Sequence, residues 1–338
     1  LERDINVVRY KVDSRSRGVE LISSNLPMDM LTDHLEAAIL PIVGTGADIK
    51  ALALKLLKHS YSISGYIALR AARRENNARE LIGLCLSDFD ATDVAVRRAR
   101  EIGETVMLRA TYLLDDYASW FGTGPIADLL VMVVTQDAVG RTYVHLVVTE
   151  SKFCKDSIMT DEAKSSRQQL ESTVQKLVRS LKADTDVPFD TAVWCDRLAD
   201  LVLDTPKEFH VDLPVEKALE TVKKLADDIR DSNFELTVNG MSHVFVYDNQ
   251  EKATRTVLDA DGDGRLIQDV SWSLRVRSLL TNFAKDAEPE AIYDALEVEL
   301  CGLDLFSGAP LAEKPSALEE NPQVTHKCSE EVVESVKE

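Results

Sequence analysis

The sequence predicts an α/β protein, and three observations support that class. Apolar residues recur at helical spacing along much of the first hundred residues. Three runs rich in apolar and β-branched residues then follow one another, namely ETVMLRATYLLDDY, ADLLVMVV and TYVHLVVTESKF. After them, the segment EAKSSRQQLESTVQKLVRSL returns to helical spacing. The predicted order in the middle of the chain is therefore helix, three strands and helix.

The N-terminal part is predicted to be mainly helical. Residues 5–12 alternate approximately between apolar and polar and are typical of a strand, and two segments of helical spacing follow them. A third helix is predicted at about 65–86. A fourth is predicted over DATDVAVRRAREIG, with Asp90 or Thr92 as its N-cap.

The C-terminal part is predicted to be a smaller α+β region. Asp190–Leu203 and the segment PVEKALETVKKLADDIRDS have the pattern of helices. The segment NFELTVNGMSHVFVYDN is predicted to be a hairpin with Asn239 and Gly240 at its turn. The predicted regions are 1–62 (N-terminal strand and helices), 63–210 (central core), 211–309 (helix plus hairpin) and 310–338 (acidic tail or linker).

The charge of the chain argues against broad adhesion to nucleic acid. The net charge is −19, whereas contacts to phosphates require Lys and Arg. Basic residues nevertheless cluster locally, so that one face is expected to be positive; these are Arg70, Arg73, Arg74, Arg79, Arg97, Arg98 and Arg100.

Several other classes of protein and site are not indicated. No apolar run approaches the roughly 18 residues of a membrane span, and the N-terminus lacks a signal peptide, so we expect a cytoplasmic protein without membrane contacts. The five cysteines form no CxxC pair, and the six histidines predict no metal cluster; His145 is expected to be packed and His243 to lack partners. No GxxxxGK[ST] loop is present. Because Leu1 rather than Met begins the sequence, we expect it to be part of a longer polypeptide.

Three charged residues are predicted to meet at one edge of the sheet. Glu150 and Lys152 lie two residues apart at the end of the third predicted strand, so alternation puts them on one face. Asp128 stands at the start of the preceding strand and lies beside them if the two strands pair. Two carboxylates can hold a hard divalent cation, which stabilises charge on a phosphate, while a lysine orients or activates the attacking water. This group therefore predicts phosphodiester hydrolysis.

These residues resemble the PD-(D/E)xK nuclease superfamily, over about residues 65–205. The resemblance rests on Asp128, on Glu150-Ser151-Lys152, and on a following helix with Gln168 and Gln169. It is strongest to nuclease-like segments attached to phage-defence NTPases, including those of phosphorothioation-dependent restriction systems.

The resemblance implies a restriction-endonuclease-like core of helix, three strands, helix and strand within the region 63–210. It implies a metal-dependent endonuclease that acts on DNA in antiviral defence, with NTPase or helicase partners. Asp128 and Glu150 would bind Mg²⁺ (or Mn²⁺), Lys152 would assist the water, Gln169 or Gln168 would support the site, and Glu80 would be an added helical carboxylate.

Less specific interpretations of the same residues stay open. Asp128 could cap the entry to a strand, and Glu150 with Lys152 could form a surface ion pair that contributes little to stability. Glu80 could be an exposed helical charge. A catalytically inactive scaffold that docks a helicase or translocase would have the same fold.

A second acidic motif, DADGDGRLIQDV, resembles the start of an EF-hand loop. Asp259, Asp261 and Asp263 have the spacing of the first three Ca²⁺ ligands, and Gly264 follows at the usual turn position. Val270 stands where a bidentate Glu is required. The segment is therefore either a weak Ca²⁺ site or a solvent-facing acidic turn.

Overall fold

The computed structural model describes residues 6–13, 18–24, 28–45, 47–64, 67, 75–101, 105–181, 188–204, 215–250, 254–259 and 265–287. The predicted tail 310–338 lies outside these residues.

In the described residues, the N-terminal part begins with two short strands, which three helices of known bounds follow. Its elements are β1 (Asn6–Asp13), β2 (Gly18–Ser24), α1 (Met28–Val43), α2 (Ile49–Ile63) and α3 (Glu75–Glu101). The strands β1 and β2 form an antiparallel sheet of their own. The strand at 5–12 and the first two helices are as predicted, whereas β2 was not predicted.

A mixed sheet of six strands forms the centre of the molecule, which confirms the α/β class. Its strands are β3 (Thr105–Leu113), β4 (Leu129–Gln136), β5 (Thr142–Cys154), β6 (Phe234–Val246), β7 (Thr254–Asp259) and β8 (Arg265–Ser271). They lie in the order β3-β4-β5-β6-β8-β7. The first three are antiparallel, β6 is parallel to both β5 and β8, and β7 is antiparallel to β8.

Five further helices join or follow these strands in the described part of the chain. They are α4 (Ala118–Phe121), α5 (Met159–Leu181), α6 (Pro188–Asp204), α7 (Val215–Arg230) and α8 (Ser273–Ala284). Single 3₁₀ turns at Leu114–Tyr117 and Asp156–Ile158 precede α4 and α5. Among the described helices, none is both long enough and apolar enough to cross a membrane.

Helices cover both faces of the sheet because the strands are apolar on both sides. In β4, Leu130 and Met132 face a core that contains residues of α5, α6 and α7. The alternate residues Val131 and Val133 face α3. Residues of α1, α2 and α8 pack on the α3 side as well, around the buried Phe245 of β6.

The prediction of two separate helices, one at about 65–86 and one from Asp90 onward, is wrong. The helix α3 is continuous through residues 75–101, so neither Asp90 nor Thr92 is an N-cap. Both side chains have partners that do not require a helix end: Thr92 donates a hydrogen bond to Asp88 at 3.2 Å, and Asp90 accepts one from His243. Thr and Asp side chains usually compete with helix formation. Here each has a hydrogen-bond partner, Thr92 within α3 and Asp90 on a neighbouring strand.

The hairpin predicted at Asn239 and Gly240 is also wrong. Both residues lie in the interior of β6, which pairs with β5 without interruption from Phe234 to Val246. A Cβ atom on Gly240 would overlap with Leu266 and would lie 3.1 Å from Val174. The glycine therefore allows α5 and β8 to pack closely against β6, and it does not form a turn.

Candidate active site at the end of strands β4 and β5

Strand register brings Asp128 opposite Glu150. The last pair of β4 and β5 is Leu129 with Thr149, so the next residue outward on each strand is Asp128 or Glu150. The backbone N–H of Ser151 donates a hydrogen bond to Oδ2 of Asp128 at 2.9 Å. Beyond this point β5 continues to Cys154 beside β6 alone. The site therefore lies where the sheet forks.

Lys152 completes the group that the sequence predicted. Its Nζ lies 2.8 Å from Oε1 of Glu150. The Glu150 side chain is fully buried, whereas that of Lys152 is 22% exposed. The lysine thus lies between the buried acid and solvent. The alternative of a surface ion pair therefore does not describe Glu150.

Burial is the main cause of the raised pKa values of Asp128 and Glu150. It raises the pKa of Glu150 well above its ordinary value, and the nearby Asp128 raises it further. Burial also raises the pKa of Asp128 to about 6, against the opposing effects of the Ser151 N–H and Lys152. Neither oxygen of Glu150 has a hydrogen bond of good geometry. The pair is therefore poorly compensated, apart from the contact with Lys152.

Lys152 remains an ammonium in this surrounding. Burial alone would lower its pKa, but the charge of Glu150 at 2.8 Å raises it, and Asp128 and Glu162 contribute in the same direction. A protonated lysine can donate hydrogen bonds and stabilise negative charge, but it cannot accept a proton.

Two further carboxylates lie close enough to raise the pKa of Asp128. One is Glu80 of α3, the residue predicted as an added helical acid. The other is Asp115 of the 3₁₀ turn after β3, which the sequence analysis missed. Asp115 lies two residues after Leu113, the last residue of a strand that pairs with β4, and this position was the available signal.

Helix α5 holds the segment that leads into Asp128. The Nε2 of Gln169 donates a hydrogen bond to the carbonyl of Ile126 at 3.4 Å. The backbone N–H of Ala127 donates to Oγ1 of Thr173 at 2.8 Å. Gln168 is exposed. Of the two predicted glutamines, Gln169 therefore contacts the approach to the site, and Thr173 is a supporting residue that was not predicted.

A separate polar cluster lies on the α3 face of the sheet. Ligand atoms of Asp90, His243 and Asp269 all lie within 4.8 Å of one another, and all three residues are buried. Among the described residues, these three side chains form a group of His, Cys, Asp or Glu that lies close enough together to hold a metal ion. The expectation that His243 lacks partners is therefore wrong. By contrast, His145 is packed between Thr135 and Thr237.

The EF-hand-like segment joins two strands. Asp259 ends β7 and is the register partner of Arg265 in β8. An EF hand places helices on both sides of its loop. Asp261 and Asp263 lie outside the described residues.

No family model, curated protein or solved structure matches this chain.

Proposed function

We propose that the protein is a metal-dependent nuclease that hydrolyses phosphodiester bonds of DNA. The observation that carries the proposal is the buried Glu150 with the half-buried Asp128 beside it and Lys152 on their solvent side. Carboxylates on adjacent strand ends, with an amine beside them, form a group suited to a hard divalent cation and a phosphate.

The residues fit Mg²⁺ (or Mn²⁺) better than they fit an ion pair alone. The buried Glu150 and the half-buried Asp128 share a single lysine, and Glu80 and Asp115 add negative charge nearby. Neither oxygen of Glu150 has a hydrogen bond of good geometry, which is unusual for a buried carboxylate. A divalent cation bound by Asp128 and Glu150 would compensate both acids and would supply Lewis-acid stabilisation of charge on the phosphate.

The chain's own residues have separable roles in this proposal. Asp128 and Glu150 bind the cation. Lys152, as an ammonium, donates a hydrogen bond to the attacking water or to the phosphate and stabilises the charge that develops there. Gln169 and Thr173 position the segment before Asp128.

The order of elements also supports the proposal. Helix α3, strands β3 to β5, helix α5 and strand β6 follow the order expected for a restriction-endonuclease-like core. Two helices, α6 and α7, are inserted between α5 and β6. A role in antiviral defence, with NTPase or helicase partners, belongs to the same proposal and rests on the resemblance.

Plasmid cleavage tests the proposal. The purified chain should nick or linearise supercoiled plasmid in Mg²⁺ or Mn²⁺ and not in EDTA. Glu150→Gln and Lys152→Ala should each lower the rate by about 100-fold or more, because both act on the charge of the transition state. Lys164→Ala is the matched control, since Lys164 is an exposed residue of α5, and it should cleave as the wild type does. Equal rates for Lys152→Ala and Lys164→Ala would remove Lys152 from the mechanism.

The second candidate is an inactive scaffold that docks a helicase or translocase. The 2.8 Å contact between Lys152 and Glu150 favours it, because the lysine partly neutralises the acid without a cation. No cleavage in either cation, by the full-length polypeptide with its partners, would favour the scaffold.

A further inference from the structure

Three elements bring a second set of ligand atoms together behind the candidate active site. His243 of β6 and Asp269 of β8 are register partners on neighbouring parallel strands. Asp90 comes from α3, which packs on the same face. On β5, Thr149 contacts His243 on this face, whereas the adjacent Glu150 points to the opposite face. The cluster and the candidate active site therefore lie back to back across the sheet.

The imidazole of His243 is oriented as in a metal ligand. Its Nδ1 lies 2.8 Å from Oγ1 of Thr149, and its Nε2 lies 3.1 Å from Oδ2 of Asp90. Histidines that bind metals usually have the second ring nitrogen held by a hydrogen bond, which fixes the orientation of the ring. Thr149 has that position here.

The donor set indicates the class of metal. One imidazole nitrogen and two carboxylates suit zinc and similar transition-metal ions, whereas magnesium and calcium prefer oxygen ligands alone. All three side chains are almost completely buried, so a substrate has no access to them. The site would therefore be structural.

A basic side chain also lies beside the cluster. Arg275 of α8 lies 3.7 Å from Oδ1 of Asp90. A bound divalent ion and a network of these side chains alone are the two alternatives for the cluster, and they differ in metal content.

We propose that Asp90, His243 and Asp269 bind a zinc-class divalent ion that fastens α3 to β6 and β8. The ion holds the strands behind Glu150 and takes no part in hydrolysis. This site is independent of the proposed nuclease activity.

Metal analysis of the purified chain tests the site. After removal of metals with EDTA and dialysis against Zn²⁺, the protein should retain about one equivalent of zinc by mass spectrometry. Substitution with Co²⁺ should give visible absorption bands from a site with one nitrogen ligand. Reloading with Zn²⁺ should raise the melting temperature of the metal-free protein, because the ion binds the folded state.

Zinc binding by variants distinguishes the residues of this site from other buried polar residues. Asp269→Asn and His243→Gln should lose zinc, and Thr149→Val should bind it about 10- to 100-fold more weakly. His145→Gln is the matched control, because His145 is a buried histidine on the same face of the sheet, and it should retain zinc. Glu150→Gln should also retain it, whether or not the protein cleaves DNA.

Absence of zinc from the reloaded wild-type chain would overturn the inference without reliance on any variant. The cluster would then be an ion network of His243 and Arg275 with the two acids. Equal zinc content in the wild type and in folded Asp269→Asn would overturn it too.

Discussion

At the scale of single residues, the ionisation of Asp128 links stability to function. Its pKa is raised from 3.8 to about 6, mainly by burial. The folded protein therefore binds this proton more tightly than the unfolded chain does. The contribution to stability is fully present below about pH 4, and it is lost as the pH rises through about 6. Divalent cations compete with this proton for Asp128, so the affinity for Mg²⁺ should increase as the pH rises through this range.

Asp128→Asn should accordingly be a more stable protein in neutral or alkaline solution without metal. At pH 8 the substitution removes a buried negative charge, and we expect the melting temperature to rise by roughly 2–4 °C. At pH 5 the difference should be smaller, because the wild-type carboxyl is then mostly protonated. Thermal unfolding at the two pH values measures this.

Asp137→Asn is the opposing control for that measurement. Hydrogen bonds, first from the backbone N–H of Arg141, lower the pKa of Asp137. Its contribution to stability is therefore present at high pH and lost on acidification, so the substitution should not raise the melting temperature at pH 8. The same rise in both variants would contradict the explanation by burial.

The predicted site residues that the structure brings together share one property, which is that strand geometry relates them. The two-residue period places Glu150 and Lys152 on one face, and hairpin register adds Asp128. His243 was missed because its partners Thr149 and Asp90 come from other elements, which no local pattern relates to it; for Asp115, the position shortly after β3 was the available signal.

At the scale of elements, local signals failed where tertiary contacts replaced local ones. The Asp-Ala-Thr sequence at Asp90 predicts a helix start, yet the side chain of Asp90 contacts a strand and α3 continues. The Asn-Gly pair predicts a turn, yet β6 is buried between two parallel neighbours. The three central strands and α5 were predicted correctly because their apolar pattern and their environment agree.

Gly240→Val distinguishes strand propensity from packing. Valine is a better strand former than glycine, so propensity alone predicts a gain in stability. The contacts of Leu266, Val174 and Leu170 with a Cβ at this position predict a loss instead, of about 1–3 kcal/mol in the free energy of unfolding. Urea denaturation measures the sign. Gly240→Ala, which adds one carbon, should lose less; a gain in either variant would mean that α5 and β8 adjust freely.

At the scale of the whole molecule, the acidic charge predicts that the proposed binding of DNA depends on a cation. The net charge of −19 opposes association with phosphates. Among the basic residues noted in the sequence, Arg97 is paired with Asp93 and Arg79 lies over the ring of Tyr247. If the protein binds DNA as proposed, contacts to phosphate should come in part through a cation held by Asp128 and Glu150.

Binding of a labelled DNA duplex should therefore depend on a divalent cation. In Ca²⁺, which allows binding with little hydrolysis, the wild-type chain should bind at least about 10-fold more tightly than in EDTA. Fluorescence anisotropy measures the affinities. The double variant Asp128→Asn with Glu150→Gln should show no such dependence, and equal affinity of the wild type in both solutions would argue against a cation at this site.

The hydrogen bond from the Ser151 N–H fixes the orientation of the Asp128 carboxylate at the end of β5. The amide uses one lone pair of Oδ2, whereas an ionised carboxylate offers about four acceptor sites. A divalent cation bound as proposed would therefore meet a ligand that the backbone already orients, and little side-chain freedom would be lost on binding. The backbone of β5 would in this way preorganise the Asp128 ligand.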